Sequence, residues 1–258
     1  MEHNPEKILN LCLRAGDVML KSGAETTRVE ETIDRIGRTY GATEVESFVT
    51  PTGIFISVRT KDHVVTGILR IHGIQTVNLY KVHVINDISR RFERGQIDDK
   101  RVEELLIEIE SRPGLYRLRY QHLAAGLSSG AFAVLFGGSW PEFCVGAFAG
   151  WVSNTMVGKL ADKMPHFLSI FFAALAGVIV SSLGILFSVA TRADAAIIGA
   201  VIPLVPGLML TNAVRDLMAG ELISGVARAS EAALTAFAIA VAVALVLSFG
   251  FVPGVPVK

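Results

Sequence analysis

The chain has 258 residues, of which 51% are hydrophobic, and it carries 24 basic and 24 acidic residues for a net charge of +0. The balance leaves no basic stripe for nucleic acid, and so apolar a composition does not suit a wholly water-exposed surface. Most of the charge lies before Gln121, and long stretches after it carry none. The split predicts an α-helical membrane protein: a small cytosolic α+β domain over residues 1–118, then about five transmembrane helices over 119–258.

The first residues, MEHNPEK, are polar and mixed in charge, unlike a signal peptide. A helix is predicted from Pro5 to Lys21, with Ile8, Leu11, Cys12, Ala15 and Met19 on one face and Gly23 as a left-handed stop. A second helix follows at once. Ser22 and Glu25 have capping-box spacing, Val29, Ile33, Ile36 and Tyr40 form its apolar face, and Gly41 ends it. The period then changes to 2. Strands are predicted over Glu44–Thr50, around Ile54–Val58 and over Val64–His72, with turns at Pro51–Gly53 and Thr60–His63. Val77–Val84 fits either a fourth strand or the start of a helix. Asn86–Gly95 reads as helix, and Asp98 or Asp99 caps another, lined by Val102, Leu105, Leu106 and Ile109.

Five apolar segments follow, at about 121–137, 142–159, 166–190, 194–211 and 230–251. Lys and Arg concentrate in alternate loops: Arg112, Arg117 and Arg119, then Lys159 and Lys163, then Arg215 and Arg228. Only Arg192 and Lys258 fall on the other side. This asymmetry predicts a cytoplasmic N-terminus and an outside C-terminus. Gly126 with Gly130, and Gly146, Gly150, Asn154 and Gly158, recur at four-residue spacing and predict close helix contact.

The fourth segment carries Pro203, Pro206 and Gly207. Each proline removes a backbone donor, so the segment reads as a broken helix, or else as a kinked one fitted to its neighbours. Broken backbone at membrane depth is tolerated where it is covered by protein or lines a polar cavity. Pro203, Pro206 and Gly207, with Asn154, Thr211 and Asn212, are therefore the candidate substrate-binding residues. Thr155, Ser181 and Ser182 are further polar groups for such a cavity. Asp216 could pair with Arg228 or Lys159 across the bundle. Cys12 and Cys144 offer no disulfide framework or metal spacing and read as packing residues. The sequence contains no Walker, GxSxG or HExxH pattern, so no metal, cofactor or catalytic set is expected.

The strings Gly23-Ala-Glu-Thr-Thr-Arg-Val-Glu-Glu31, Thr50-Pro-Thr-Gly-Ile-Phe55, Pro203-Leu-Val-Pro-Gly207 and Asn212-Ala-Val-Arg-Asp216, then Gly220-Glu221 and Gly225-Val-Ala-Arg228, resemble the threonine/serine exporter family along nearly the whole chain. Fused members of that family look like two halves, and this chain resembles the first half. The resemblance implies a subunit of a secondary exporter in the bacterial cytoplasmic (inner) membrane. Its second half would come from a separate small membrane protein. The implied cargo is a small hydrophilic metabolite, either threonine or serine or a dicarboxylate such as succinate. Glu25, Thr26, Arg28, Glu30, Arg215, Asp216 and Arg228 are the candidate gating or interface residues. The competing reading is a membrane-tethered hydrolase or a regulatory module with its site in the N-terminal domain, where Asp17, His63, His72 and His83 add to the available chemistry.

Overall fold

The computed structural model describes residues 4–71, 77–114 and 116–249. The chain divides into two compact units: Met1–Leu115 with Leu208–Ala229, and Tyr116–Gly207 with Ser230–Lys258. The expected single boundary at 118/119 thus becomes three. A stretch from late in the sequence folds with the N-terminal unit because its polar face supplies partners to that unit's backbone.

In the first unit, α1 (Pro5–Lys21) starts at Asn4, whose side chain accepts a hydrogen bond from the Glu6 N–H at 3.0 Å. Gly23, at φ +82°, turns the chain in the left-handed region before α2 (Thr26–Tyr40). The three strands are β1 (Glu44–Thr50), β2 (Gly53–Arg59) and β3 (Val64–Arg70), in an antiparallel sheet of order β1-β2-β3. Their inward residues Val49, Ile54, Ile56 and Val58 join Ile8, Met19, Val29, Ile33 and Ile36 in one core. Burying a side chain of this size contributes about 1.5–3 kcal/mol. α1 packs closely on the sheet: a Cβ on Gly16 would stand 2.7 Å from Ile54 Cδ1.

The ambiguity over 77–84 resolves to helix, since α3 runs Leu79–Glu93 with Asn78 accepting from the Lys81 N–H at 3.2 Å. α4 (Asp99–Ser111) is capped by Asp98, as its sequence predicts. His72, the predicted end of the third strand, lies outside the described residues. So do Phe251, Pro253, Pro256 and Lys258.

The second unit holds α5 (Leu118–Leu135), α6 (Trp140–Leu160), α7 (His166–Leu186), α8 (Ala193–Val201) and a 3-10 turn (Ile202–Leu204), together with the later part of α10 (Leu222–Ser248). The apposition of α5 and α6 depends on glycine. A Cβ on Gly126 would meet the Ala147 carbonyl at 2.8 Å, and one on Gly130 the Phe143 carbonyl at 2.7 Å. At the start of α6, next to Phe143, Glu142 is 1% exposed and accepts from the N–H groups of Ser139 (2.7 Å), Thr191 (2.8 Å) and Arg192 (3.1 Å). That carboxylate ties the turn before α6 to the turn before α8.

Among the described residues, α7 and α10 are long and apolar enough to cross a membrane. The pair formed by α8 with its 3-10 turn and α9 (Gly207–Met218) makes a third if counted as one span. α5 is more polar, with Arg119, Gln121, His122, Ser128 and Ser129, as is α6, with Glu142, Asn154 and Lys159. The stretch 212–230, expected as a loop, is helical on both sides of Gly220, whose φ is +91°.

Candidate functional site

The α1–α2 turn and the α9–α10 hairpin both belong to the first compact unit, and the polar residues of one meet the backbone of the other. The first N–H groups of a helix have no partner within it, and they carry the positive end of its dipole. The expected capping box does not form at α2. Ser22 instead closes α1, donating its N–H to Val18, and Glu25 is the N-cap residue without a side-chain cap. Asp216 of α9 takes the role. Its Oδ1 accepts from the Thr26 N–H and its Oδ2 from the Thr26 hydroxyl, each at 3.2 Å. A carboxylate at a helix N-terminus is well placed, and this one is fully buried.

Charge is balanced in place. Arg228 Nε lies 3.1 Å from Asp216 Oδ2, with side chains 5% and 0% exposed, and Arg228 Nη2 donates to the Ala24 carbonyl at 2.8 Å. Asn212 is one turn before Asp216 on the same face of α9, and its amide donates to the Gly23 carbonyl at 3.1 Å. Arg215 pairs with Glu25 at the rim. Consecutive residues of the turn, Gly23 to Thr26, are thus each held by a side chain from the hairpin.

A second hold runs through β1. The Val49 N–H donates to Glu30 Oε1 at 3.0 Å, while the Val49 carbonyl accepts from the Ser224 hydroxyl of α10 at 3.1 Å. Burial pushes the Glu30 carboxyl up to about 7. The Val49 N–H works against that rise, and the neighbouring carboxylates Glu221 and Asp216 add to it.

Of the candidate gating or interface residues, Glu25, Thr26, Arg215, Asp216 and Arg228 converge here, and Glu30 holds the adjacent strand. The Arg28 side chain is exposed, and its carbonyl accepts from the Thr32 hydroxyl. The candidate substrate-binding residues divide between the units. Asn212 and Thr211 lie in the first. Asn154 lies in the second, where its amide is 2.8 Å from Nδ1 of His122 on α5. Pro203 falls in the 3-10 turn, Pro206 just after it, and Gly207 opens α9, with a bend of 53° between the two helical pieces. Thr155 and Ser182 return their hydroxyls to their own helices, and Ser181 donates to the Ala196 carbonyl of α8 at 3.2 Å.

Sequence reasoning did not find Ser224, His122 or the carbonyls of Gly23 and Ala24. Small polar residues on helices and backbone carbonyls carry no sequence signal that picks out their partners. Among the described residues no three of His, Cys, Asp and Glu gather as a metal group.

Residues 10–250 match the family model described as "Putative threonine/serine exporter", ThrE. The chain is 29% identical over 245 residues to the "Probable succinate transporter subunit YjjP" of Escherichia coli strain K12, covering 93% of this chain and 94% of that protein. It is 24% identical over 234 residues to the "Threonine/serine exporter" of Corynebacterium glutamicum, covering 88% of this chain and 48% of that one. The corresponding figures for the "Probable threonine/serine exporter" of Mycobacterium tuberculosis strain H37Rv are 25% over 230 residues, 88% and 43%. No solved structure matches. With the match running through α1, the α9–α10 hairpin and the apolar helices alike, the chain belongs to the ThrE family of threonine/serine exporters.

Proposed function

We propose that this chain is one subunit of a two-component secondary exporter, which moves a small hydrophilic metabolite out of the cytoplasm together with a second small membrane protein. A threonine- or serine-type amino acid and a dicarboxylate such as succinate are the two cargo classes. Both kinds are named among its relatives, and one relative of nearly equal length is named a subunit. The hydrolase alternative gives way to transport, because the family is one of exporters.

In this reading α5, α6, α7, the α8–α9 pair and α10 supply five crossings of the bacterial inner membrane, with the N-terminus in the cytoplasm and the C-terminus outside. Loop charge supports the orientation. The observation that carries the reading is the break between α8 and α9. Pro203 and Pro206 cannot donate to the carbonyls of Gly199 and Ile202 at helical spacing, and the chain bends by 53° there. Interrupted backbone of this kind offers carbonyls and helix ends to a polar solute. Pro203, Pro206, Gly207 and Asn154, all in the second unit, are the residues proposed to serve it.

The polar hold on α9 gives the N-terminal unit a gating role. α9 leads directly out of the break, and the α1–α2 turn grips it through Thr26, Asp216, Arg228, Glu25 and Arg215.

The test is efflux of preloaded labelled threonine, serine and succinate from cells carrying Pro206→Ala with Gly207→Leu. Loss of efflux at normal membrane abundance is expected. Efflux at the wild-type rate would remove the broken segment from the transport path.

A further inference from the structure

Two hydroxyls of the second unit are idle although both are shut away from solvent. Ser129 of α5 is 0% exposed and Ser153 of α6 is 1% exposed, and neither Oγ has a hydrogen-bond partner among the described residues. A buried helical serine ordinarily returns its hydroxyl to the preceding turn, as Ser182 does to the Val178 carbonyl at 2.8 Å. An unmade hydrogen bond in a low-dielectric interior is costly, so each such group calls for an explanation.

Both hydroxyls are aimed at glycines on a neighbouring helix. Ser129 Oγ lies where a Cβ on Gly150 of α6 would collide with it, and Ser153 Oγ does the same at Gly177 of α7. A Cβ on Gly199 of α8 would stand 2.6 Å from the Ser129 carbonyl. The serines therefore sit in the small-residue seams on two sides of α6. Packing alone does not ask for hydroxyls there. One turn away on the same helices, Ala133 and Ala149 are 0% exposed, and a methyl suffices.

Depth is also informative. At about 1.5 Å per residue, Ser129 is about 16 Å along α5 from Leu118, and Ser153 is about 10 Å from the Leu160 end of α6. A hydrocarbon core about 30 Å thick would contain both.

We infer that Ser129 and Ser153 are solute-binding hydroxyls on the permeation route, seen here with the route closed by Gly150 and Gly177. The inference rests on the exporter reading and adds the α6 seams to the broken segment as the place where the cargo is held. The ligand class is a small carboxylate-bearing solute, whose oxygens accept from Ser129 in the α5–α6 seam or from Ser153 in the α6–α7 seam as α5 or α7 parts from α6. Glycine opposite each serine is what allows the closed state to exclude the solute completely.

The experiment replaces the chromosomal copy with Ser129→Ala or Ser153→Ala in the native host. Efflux of preloaded threonine, serine and succinate is measured over a range of internal concentrations, and thermal unfolding is measured on the purified chains in detergent. Each variant is expected to raise the half-saturating concentration about tenfold while leaving the unfolding temperature equal or higher, since an idle buried hydroxyl has been removed. A serine with only a packing role would leave efflux untouched. As a second readout, Ser153→Cys in a Cys144→Ala background should react with a small aqueous thiol reagent during turnover and be protected by saturating solute. Wild-type efflux in both alanine variants, or a cysteine that stays unreactive during turnover, overturns the inference. A wild-type chain that exports none of the three solutes overturns the exporter reading itself, which distinguishes the two failures.

Discussion

Asp216 and Arg228 form an ion pair whose members are almost wholly out of solvent, so their interaction with each other must offset two desolvation costs. Removing one partner leaves the other charge unpaired. Arg228→Ala is expected to destabilise the first unit by about 3–5 kcal/mol. Asp216→Leu with Arg228→Met should recover much of that stability, yet leave the α2 N-terminus without its cap. Urea denaturation of the purified chains, followed through a probe in the first unit, measures both. Glu30 adds a pH dependence of known sign. Its carboxyl titrates near 7 in the folded chain, against about 4.5 when unfolded, so the fold binds the proton more tightly. Stability then falls as pH rises from about 4.5 through 7. Glu30→Gln keeps an acceptor for Val49 and should raise the unfolding temperature at pH 8, with the advantage fading by pH 5. An equal shift at both pH values would count against a burial effect at this carboxyl.

Among the elements, those with regular alternation were legible from sequence and those with inverted faces were not. α1 matches its predicted apolar face, and Ile54, Ile56 and Val58 of β2 alternate inward, because the same residues that set the period also face the core. α9 and the start of α10 reverse that order. Asn212, Asp216, Ser224 and Arg228 are buried, whereas Leu210, Val214, Met218, Leu222 and Val226 are exposed. Read as amphipathic in water, the hairpin has no recognisable core face, so 212–230 looks like a charged loop. The Ser22–Glu25 capping box failed for a related reason. A local motif was available, but a distant carboxylate with an arginine behind it supplied the cap. Glycine spacing in α5 and α6 was a better guide. Gly130→Val should push the helices apart against the Phe143 carbonyl, and its expected result is lower thermal stability in detergent with the first unit's denaturation midpoint unchanged.

For the molecule as a whole, composition separates a charged first part from an apolar second part. Sequence order did not foretell that Leu208–Ala229 would fold with the N-terminal unit, because contact between such distant segments leaves no trace in composition. The proposed topology predicts that a reporter active only outside the cytoplasm will be active when fused at the C-terminus. Cysteines placed at 161–164 should be labelled only from the cytoplasmic side. The late segment also imposes a timetable on biosynthesis. A ribosome adding about 5–20 residues per second needs roughly 6–23 s to travel from Leu115 to Ala229. During that interval the nascent N-terminal unit waits with the first turn of α2 uncapped, and it acquires its last wall only after α5 to α8 have been synthesised.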